Sequence, residues 1–497
     1  MPTRHWICLG FLVLGLAGVP AEARKAKPAR VDMVERILPA LPAALGEAVK
    51  PFVKIPPGKI ALVHVRVIDG TGAPAAADQT IVIEDGRIKA IGPSASTPPP
   101  AGARVMDLSG RTAMPGWVAM HEHLFYPGPT GVGRTPGVPE YYPTMGFSFP
   151  RLYLAAGVTT IRTAGSMEPY ADLEIKRYID AGRIPGPKMH LTGPYLTGAG
   201  AYLLQLHALA SPEEAVKMVN YWADLGFTSF KAYTNITRAQ LGSAIRAAPA
   251  RGLKVTGHLC SVTFREAADL GIDSLEHGIS ASTDFVKSKE PDLCPARAGD
   301  EGDPEIASPE VQGLIKYLVN KKVAIVSTLP VAEAGVPGRP PLQQRFLDVL
   351  SPMSRTDYLI ARARTDAGGA ARLKRSMDFE LAFSRAGGTL LAGLDPTGNG
   401  GVVAGFGDQR EVELLVEAGF TPLEAIRIQT QAGADFLGEG ARVGTLAVGK
   451  QADINIVTGD PTARIADIEN VEIVFKDGKG YDSKKLIESV KGMVGSR

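Results

Sequence analysis

Between residues 114 and 438 the chain repeats one pattern, and that repetition limits its fold more than any other feature. A short run rich in Val, Ile and Leu gives way to a stretch with helical spacing, and then another such run begins. The runs are 117–123, 158–163, 188–193, 229–233, 253–259, 274–277, 323–328 and 389–395. Short apolar runs separated by helices pair in parallel, with the helices covering the sheet. Eight of them is the count of a (β/α)8 TIM barrel, so an α/β fold of that type is expected. One connecting helix is clearly signalled: Ser211 as N-cap, Pro212 in the first turn and Glu214 placed to close a capping box.

The flanks follow a different rule. From Lys59 to Ala113 apolar residues recur at every second position, as in Ile60 to Ile68, Thr80 to Glu84 and Arg87 to Ile91. The breaks Asp69-Gly-Thr-Gly72 and Asp85-Gly86 are strong turn signals. The same alternation returns in Ala452 to Thr458 and Val471 to Gly478. A small β-sandwich built from both chain ends is therefore expected. The predicted division is a signal peptide over 1–23, an N-terminal arm over 24–58 and the first part of the sandwich over 59–113. The barrel then takes 114–438, the second part of the sandwich 439–480 and a C-terminal helix 481–497.

Arg4 and His5 precede an apolar run from Trp6 to Val19, too short to span a bilayer comfortably, and Ala21-Glu-Ala23 has the small-x-small form of a cleavage site. The expected protein is exported, periplasmic or secreted, with no membrane contact once the signal is removed. With 54 Lys and Arg against 52 Asp and Glu, the net charge of +2 gives no field that would gather nucleic acid. The expected partner is a small-molecule substrate, and the sequence leaves a homo-oligomer open. Beyond the leader stand two cysteines, Cys260 and Cys294. An oxidising compartment permits them to pair, but their spacing does not require it, and a small buried apolar role is expected for Cys260.

The polar residues at the strand ends carry the chemistry. His121 and His123 are two apart on a strand, so both imidazoles point to one side. Lys231 lies in the fourth run, His258 and His277 end the fifth and sixth, and Asp395 ends the eighth. A barrel gathers such ends around one axis, and imidazole is the commonest neutral metal ligand. Four of the chain's eight histidines at strand ends is not what packing alone gives. Two long connections, 126–150 and 279–308, follow the first and sixth strands and are expected to wall a substrate; the second carries Asp300-Glu-Gly-Asp303.

This set resembles the amidohydrolase superfamily. The branch it is most similar to is the imidazolonepropionase-like group, with its exported metallo-dipeptidases, carboxypeptidases and prolidase-like enzymes. Ala155-Ala-Gly-Val-Thr-Thr-Ile-Arg162 and Val443-Gly-Thr-Leu-Ala-Val-Gly-Lys-Gln-Ala-Asp453 add to the likeness, which runs from Lys59 to about Gly478. The resemblance implies two divalent metal ions, with zinc suited to the histidine-rich set. His121, His123 and Asp395 would hold one ion, His258 and His277 the other, and a carbamylated Lys231 would bridge them. Burial depresses a lysine pKa, and CO2 adds to the neutral amine, which gives that modification a physical basis. The implied reaction is hydrolysis of an amide or peptide bond in a dipeptide, a C-terminal residue or an N-acyl amino acid. In it the metals activate a bridging water, Asp395 acts as general base and then acid, and Tyr233 steadies the oxyanion. Alternatives are a cyclic-amidine deaminase, which needs one metal and a catalytic glutamate, a lactone or ester hydrolase, and a non-catalytic binding protein on the same barrel. Thr163 stands where relatives commonly carry an aspartate after the strand-two arginine, so a supporting contact is missing or replaced. Arg162 and His207 are candidate anchors for a substrate carboxylate, with a structural role favoured for both. Glu122, between the paired histidines, is expected to face away.

Overall fold

Alternating side chains and turn residues divide the chain into seventeen strands among the residues that a computed structural model describes, namely 46–128, 141–200, 203, 205–295, 304–363, 368–397 and 400–495. The first six are β1 (Val53–Ile55), β2 (Ile60–Val67), β3 (Ala76–Glu84), β4 (Arg87–Pro93), β5 (Arg104–Asp107) and β6 (Arg111–Pro115). The middle eight are β7 (Trp117–Glu122), β8 (Val158–Thr163), β9 (Lys188–His190), β10 (Ser229–Ala232), β11 (Lys254–Gly257), β12 (Ser274–Glu276), β13 (Ala324–Ser327) and β14 (Leu390–Ala392). The last three are β15 (Ile454–Thr458), β16 (Val471–Lys476) and β17 (Lys479–Asp482). The signal peptide, most of the N-terminal arm and Asp300-Glu-Gly-Asp303 lie outside the described residues. Among the described residues no helix is long and apolar enough to cross a membrane.

The middle strands pair in parallel in chain order, as β7-β8-β9 and as β10-β11-β12-β13-β14. Helices such as Pro169–Asp180, Pro212–Asp224, Arg238–Ala247 and Pro309–Asn320 connect them. The two sheets meet at both margins. Gly193 N donates to Ser229 O at 2.9 Å beside the parallel bridge Thr192–Ser229, and Asp395 N donates to His121 O at 2.9 Å. The main core lies between these strands and their helices, with Trp117, Phe149, Phe230, Phe264 and Phe379 buried in it.

Both chain ends build one nine-stranded sheet in the order β1-β17-β16-β15-β6-β2-β3-β4, with β5 beside β2. Leu62, Ile81 and Ile88 from one half share a core with Ile454, Ile473 and Phe475 from the other, so the sheet curls over its own apolar face. The turn at Asp85-Gly86 is one the sequence signals, and Asp477-Gly478, read as the end of a run, forms a second of the same kind. Asp85 and Gly86 have φ of 52° and 73°, and Asp477 and Gly478 have 51° and 73°, the left-handed pair a tight hairpin requires.

The chain passes from β6 to β7, and so from one sheet to the other, at Gly116, where a Cβ would collide with the Thr159 side chain. Three local expectations are corrected. Ser211 does accept the Glu214 N–H, but the Glu214 carboxylate takes Ala210 N and His207 instead of closing the box. The C-terminal helix is confined to Ser483–Glu488. Cys260 is joined to Cys294 in a disulfide across 34 residues, in place of the unpaired buried role expected for it.

Candidate metal centre

Strand ends deliver every candidate side chain. His121 lies in β7 and His123 follows it, Lys231 lies in β10, His258 and His277 directly follow β11 and β12, and Asp395 comes three residues after β14. Asp395 can approach because Gly393 has no side chain: a Cβ there would stand 2.4 Å from His121 Cβ. His277 and Asp395 have φ of 65° and 51°. Such a backbone costs about 1–3 kcal/mol for a non-glycine residue and is found where a side chain must leave the strand's alternation.

The histidines converge on one carboxylate. Asp395 Oδ1 is 3.4 Å from His123 Nε2, and its Oδ2 is 3.7 Å from His121 Nε2 and 3.8 Å from His277 Nε2. His121, His277 and Asp395 offer ligand atoms that all lie within 4.8 Å of one another. The His258 ring stands 4.5 Å from that of His277, and Lys231 Nζ is 3.1 Å from His121 Nε2. The tightest triple thus draws on both of the metal sets that the resemblance implies.

The far sides of the rings are held. His121 Nδ1 meets Glu276 Oε2 at 2.7 Å, His123 Nδ1 meets Gly165 O at 3.1 Å, and His277 Nδ1 meets Thr328 Oγ1 at 2.7 Å. A carboxylate and a carbonyl accept only, so Nδ1 of His121 and His123 carries the proton and Nε2 presents its lone pair to the centre. His277 Nε2 is buried with no hydrogen-bond partner. An orphaned imidazole nitrogen beside two others and a carboxylate fits a divalent cation.

Electrostatics keep this set in its ligating form. Burial pushes His123 down to about 4 and His258 to about 3, and lowers His121 and His277, so all four are neutral near pH 7. Burial pushes the Asp395 carboxyl up, and protonation of His121, His123 or His277 beside it pulls the group well below the usual range. Burial brings Lys231 down to about 8 against the pull of Glu276 and Asp395, so a neutral amine is accessible.

Glu276 is the residue that sequence reasoning missed. It is buried, binds His121, and accepts from Arg162 NH2 at 2.7 Å and from Thr256 Oγ1. Burial pushes its carboxyl up, yet Arg162 and His121 together hold it well below the usual range. It supplies a contact to the ligand set where Thr163 does not; Thr163 Oγ1 instead accepts Thr192 N at 2.8 Å. The available signal was an acid at the end of a short strand, beside Leu275, that is buried throughout. Arg162 donates to Met120 O and Glu276, and exposed His207 pairs with Glu214, so the structure brings neither to the centre. Glu122 Oε1 accepts Leu394 N at 3.3 Å. Tyr233 does stand at the centre, with its ring 5.2 Å from that of His258.

Known proteins are similar to this chain in fold and in part of its sequence. The amidohydrolase family model matches residues 392–480. An imidazolonepropionase from Saccharopolyspora erythraea is 51% identical over 51 residues, which is 10% of this chain and 13% of that relative's length. A candidate prolidase from Bifidobacterium longum superposes with a TM-score of 0.62 at 25% identity over 88% of this chain and 100% of its own. A Xaa-Pro dipeptidase solved with bound methionine gives 0.63 at 20% identity over 86% and 100%. A bottromycin amidohydrolase gives 0.65 at 21% over 92% and 94%. With the histidines, lysine and aspartate standing at strand ends as they do, the chain is similar to the amidohydrolase family in the sequence of residues 392–480 and to these hydrolases in fold, and it spans about an eighth of the length of the imidazolonepropionase it matches.

Proposed function

We propose that the protein is a metal-dependent hydrolase that cleaves an amide or peptide bond in a small substrate, on a single (β/α)8 barrel formed by its two parallel sheets. The observation that carries this is the convergence of Nε2 of His121, His123 and His277 on Asp395. His121, His123 and Asp395 would hold one ion, His258 and His277 the second, with Lys231 as bridging carbamate. The ammonium first gives up a proton; the neutral amine nitrogen then attacks CO2, an N–C bond forms as a C–O π bond opens, and a second proton leaves, so a cation becomes an oxygen-donor anion. Lys231 Nζ hydrogen-bonds the same His121 nitrogen a metal would use, so the unmodified amine competes with the metal there.

Bound divalent ions would supply an acidified water and a Lewis acid for the scissile carbonyl. Asp395, ionised at the middle of the ring, takes the proton of the attacking water and passes it to the departing amine as the C–N bond breaks. Tyr233, whose ring stands 5.2 Å from that of His258, would donate its hydroxyl to the carbonyl oxygen. Glu276 and Gly165 O keep their imidazoles aimed. A deaminase would need a free glutamate at the centre, whereas Glu276 is committed to three donors. Export is supported by the Cys260–Cys294 disulfide, a bond that persists in oxidising compartments.

Elemental analysis after dialysis tests the centre, wild type beside Lys231→Ala. About two divalent ions per chain, falling to one or fewer in the variant, is expected. One ion in both proteins would remove the lysine bridge, and none in either would remove the metallohydrolase reading.

A further inference from the structure

The centre has two unlike sides. The loops after β11 to β14 bring His258, His277, Thr328 and Asp395, which are polar. The loops after β7 to β10 bring a contiguous apolar cluster: Phe125, Tyr142, Met167, Tyr195, Leu203 and Tyr233. Phe125 stacks on His123 at 4.2 Å, and Tyr142 meets Phe125 edge-on at 5.3 Å. Tyr195 lies 6.4 Å from the His123 ring and 4.9 Å from Tyr233, and its ring centre is 5.4 Å from Lys231 Nζ. The wall therefore touches the donor set itself.

We propose that this wall selects the substrate: one of the two groups flanking the scissile amide is apolar and ring-bearing, and Tyr195 and Phe125 determine that choice. The inference rests on the amide-hydrolase reading above. Its logic is chemical. A polar group pressed against Phe125, Met167, Leu203 or the faces of the tyrosine rings loses water without gaining partners there, whereas a ring gains both burial and edge or face contacts at these spacings. The two side chains named above as anchors for a substrate carboxylate are engaged elsewhere, Arg162 with Met120 O and Glu276, and His207 with Glu214. Recognition then falls to apolar contact.

The test uses the zinc-loaded full chain and a panel of N-acyl amino acids and dipeptides in which Gly, Leu and Phe are placed on each side of the bond in turn. At one position kcat/KM should rise from Gly to Phe by on the order of 100-fold, carried by KM. Tyr195→Ala should shrink that ratio by about tenfold or more, while Tyr195→Phe, which keeps the ring, should preserve it. Calorimetric titration with 3-phenylpropionate and acetate, and with phenethylamine and methylamine, supplies a binding readout. Wild type should prefer the ring-bearing member of one pair, and Tyr195→Ala should not. Rates within about threefold for Gly, Leu and Phe at both positions would overturn the proposal, as would a preference that Tyr195→Ala leaves intact. If nothing in the panel is cut, the hydrolase reading falls. The titration alone then decides the wall: ring-selective binding abolished by Tyr195→Ala upholds it, and unselective binding overturns it.

Discussion

Glu276→Gln should destabilise the protein by about 3–5 kcal/mol although it changes almost no volume. The buried carboxylate accepts from His121 Nδ1, Arg162 NH2 and Thr256 Oγ1. Glutamine offers one acceptor oxygen and an amide NH2, so either His121 or Arg162 faces a donor with its own donor. Losing one charge-assisted bond accounts for about 1.5–3 kcal/mol. The rest comes from a guanidinium left 1% exposed with no counter-charge. Urea unfolding with a chelator present reads folding alone, since bound metal would stabilise the native state by mass action. In a cycle with Arg162→Met the double variant should lose less than the two singles together, by about 1–3 kcal/mol. Zinc titration of the folded variant should show affinity lower by about 10- to 100-fold, because His121 is no longer held in its ligating tautomer. Glu276→Gln within about 0.5 kcal/mol of wild type, or an additive cycle, would refute the assignment of Glu276 as the keystone between Arg162 and His121.

Burial pushes the Asp172 carboxyl up from 3.8 to about 7. The folded state therefore binds its proton more tightly, and the stability it contributes is present below pH 4 and lost as pH rises to 7. The loss is about 4 kcal/mol at most, so Asp172→Asn should gain on wild type across that window in parallel urea titrations, and a flat difference would sink the argument. Cys294→Ser opens a 34-residue loop in the unfolded chain. By loop entropy that removes about 4 kcal/mol, and an unchanged urea midpoint would show that the disulfide does not constrain unfolding.

The residues that carry the centre were legible in the sequence because each sits at the end of a β-type run, and a run's end is a local signal. His121 and His123 show their shared direction through spacing alone. Cys260 shows the limit: its own neighbourhood predicts a small buried residue, and its partner lies 34 positions on, brought near by a loop whose path no local pattern fixes. Glu276 escaped for a related reason. Between Leu275 and His277 it looks like an isolated acid, and only the approach of β8 and β7 to β12 in the folded chain supplies Arg162 and His121 as its partners. The capping box at Ser211 failed because a residue outside the helix, His207, competes for the Glu214 carboxylate.

What the sequence determined by itself is whatever short-range periodicity and turn chemistry encode: the order of strands and helices, the left-handed turn at Asp85-Gly86, and which polar residues stand at strand ends. What the tertiary structure decided is which of those ends meet, and in what state. The Asp395 carboxylate reaches three imidazoles because Gly393 lets β14 close against β7, and the histidines are neutral because the surrounding chain excludes water. Contact between strands hundreds of residues apart and the removal of solvent from a charge are properties of the packed whole, and no window of sequence contains them.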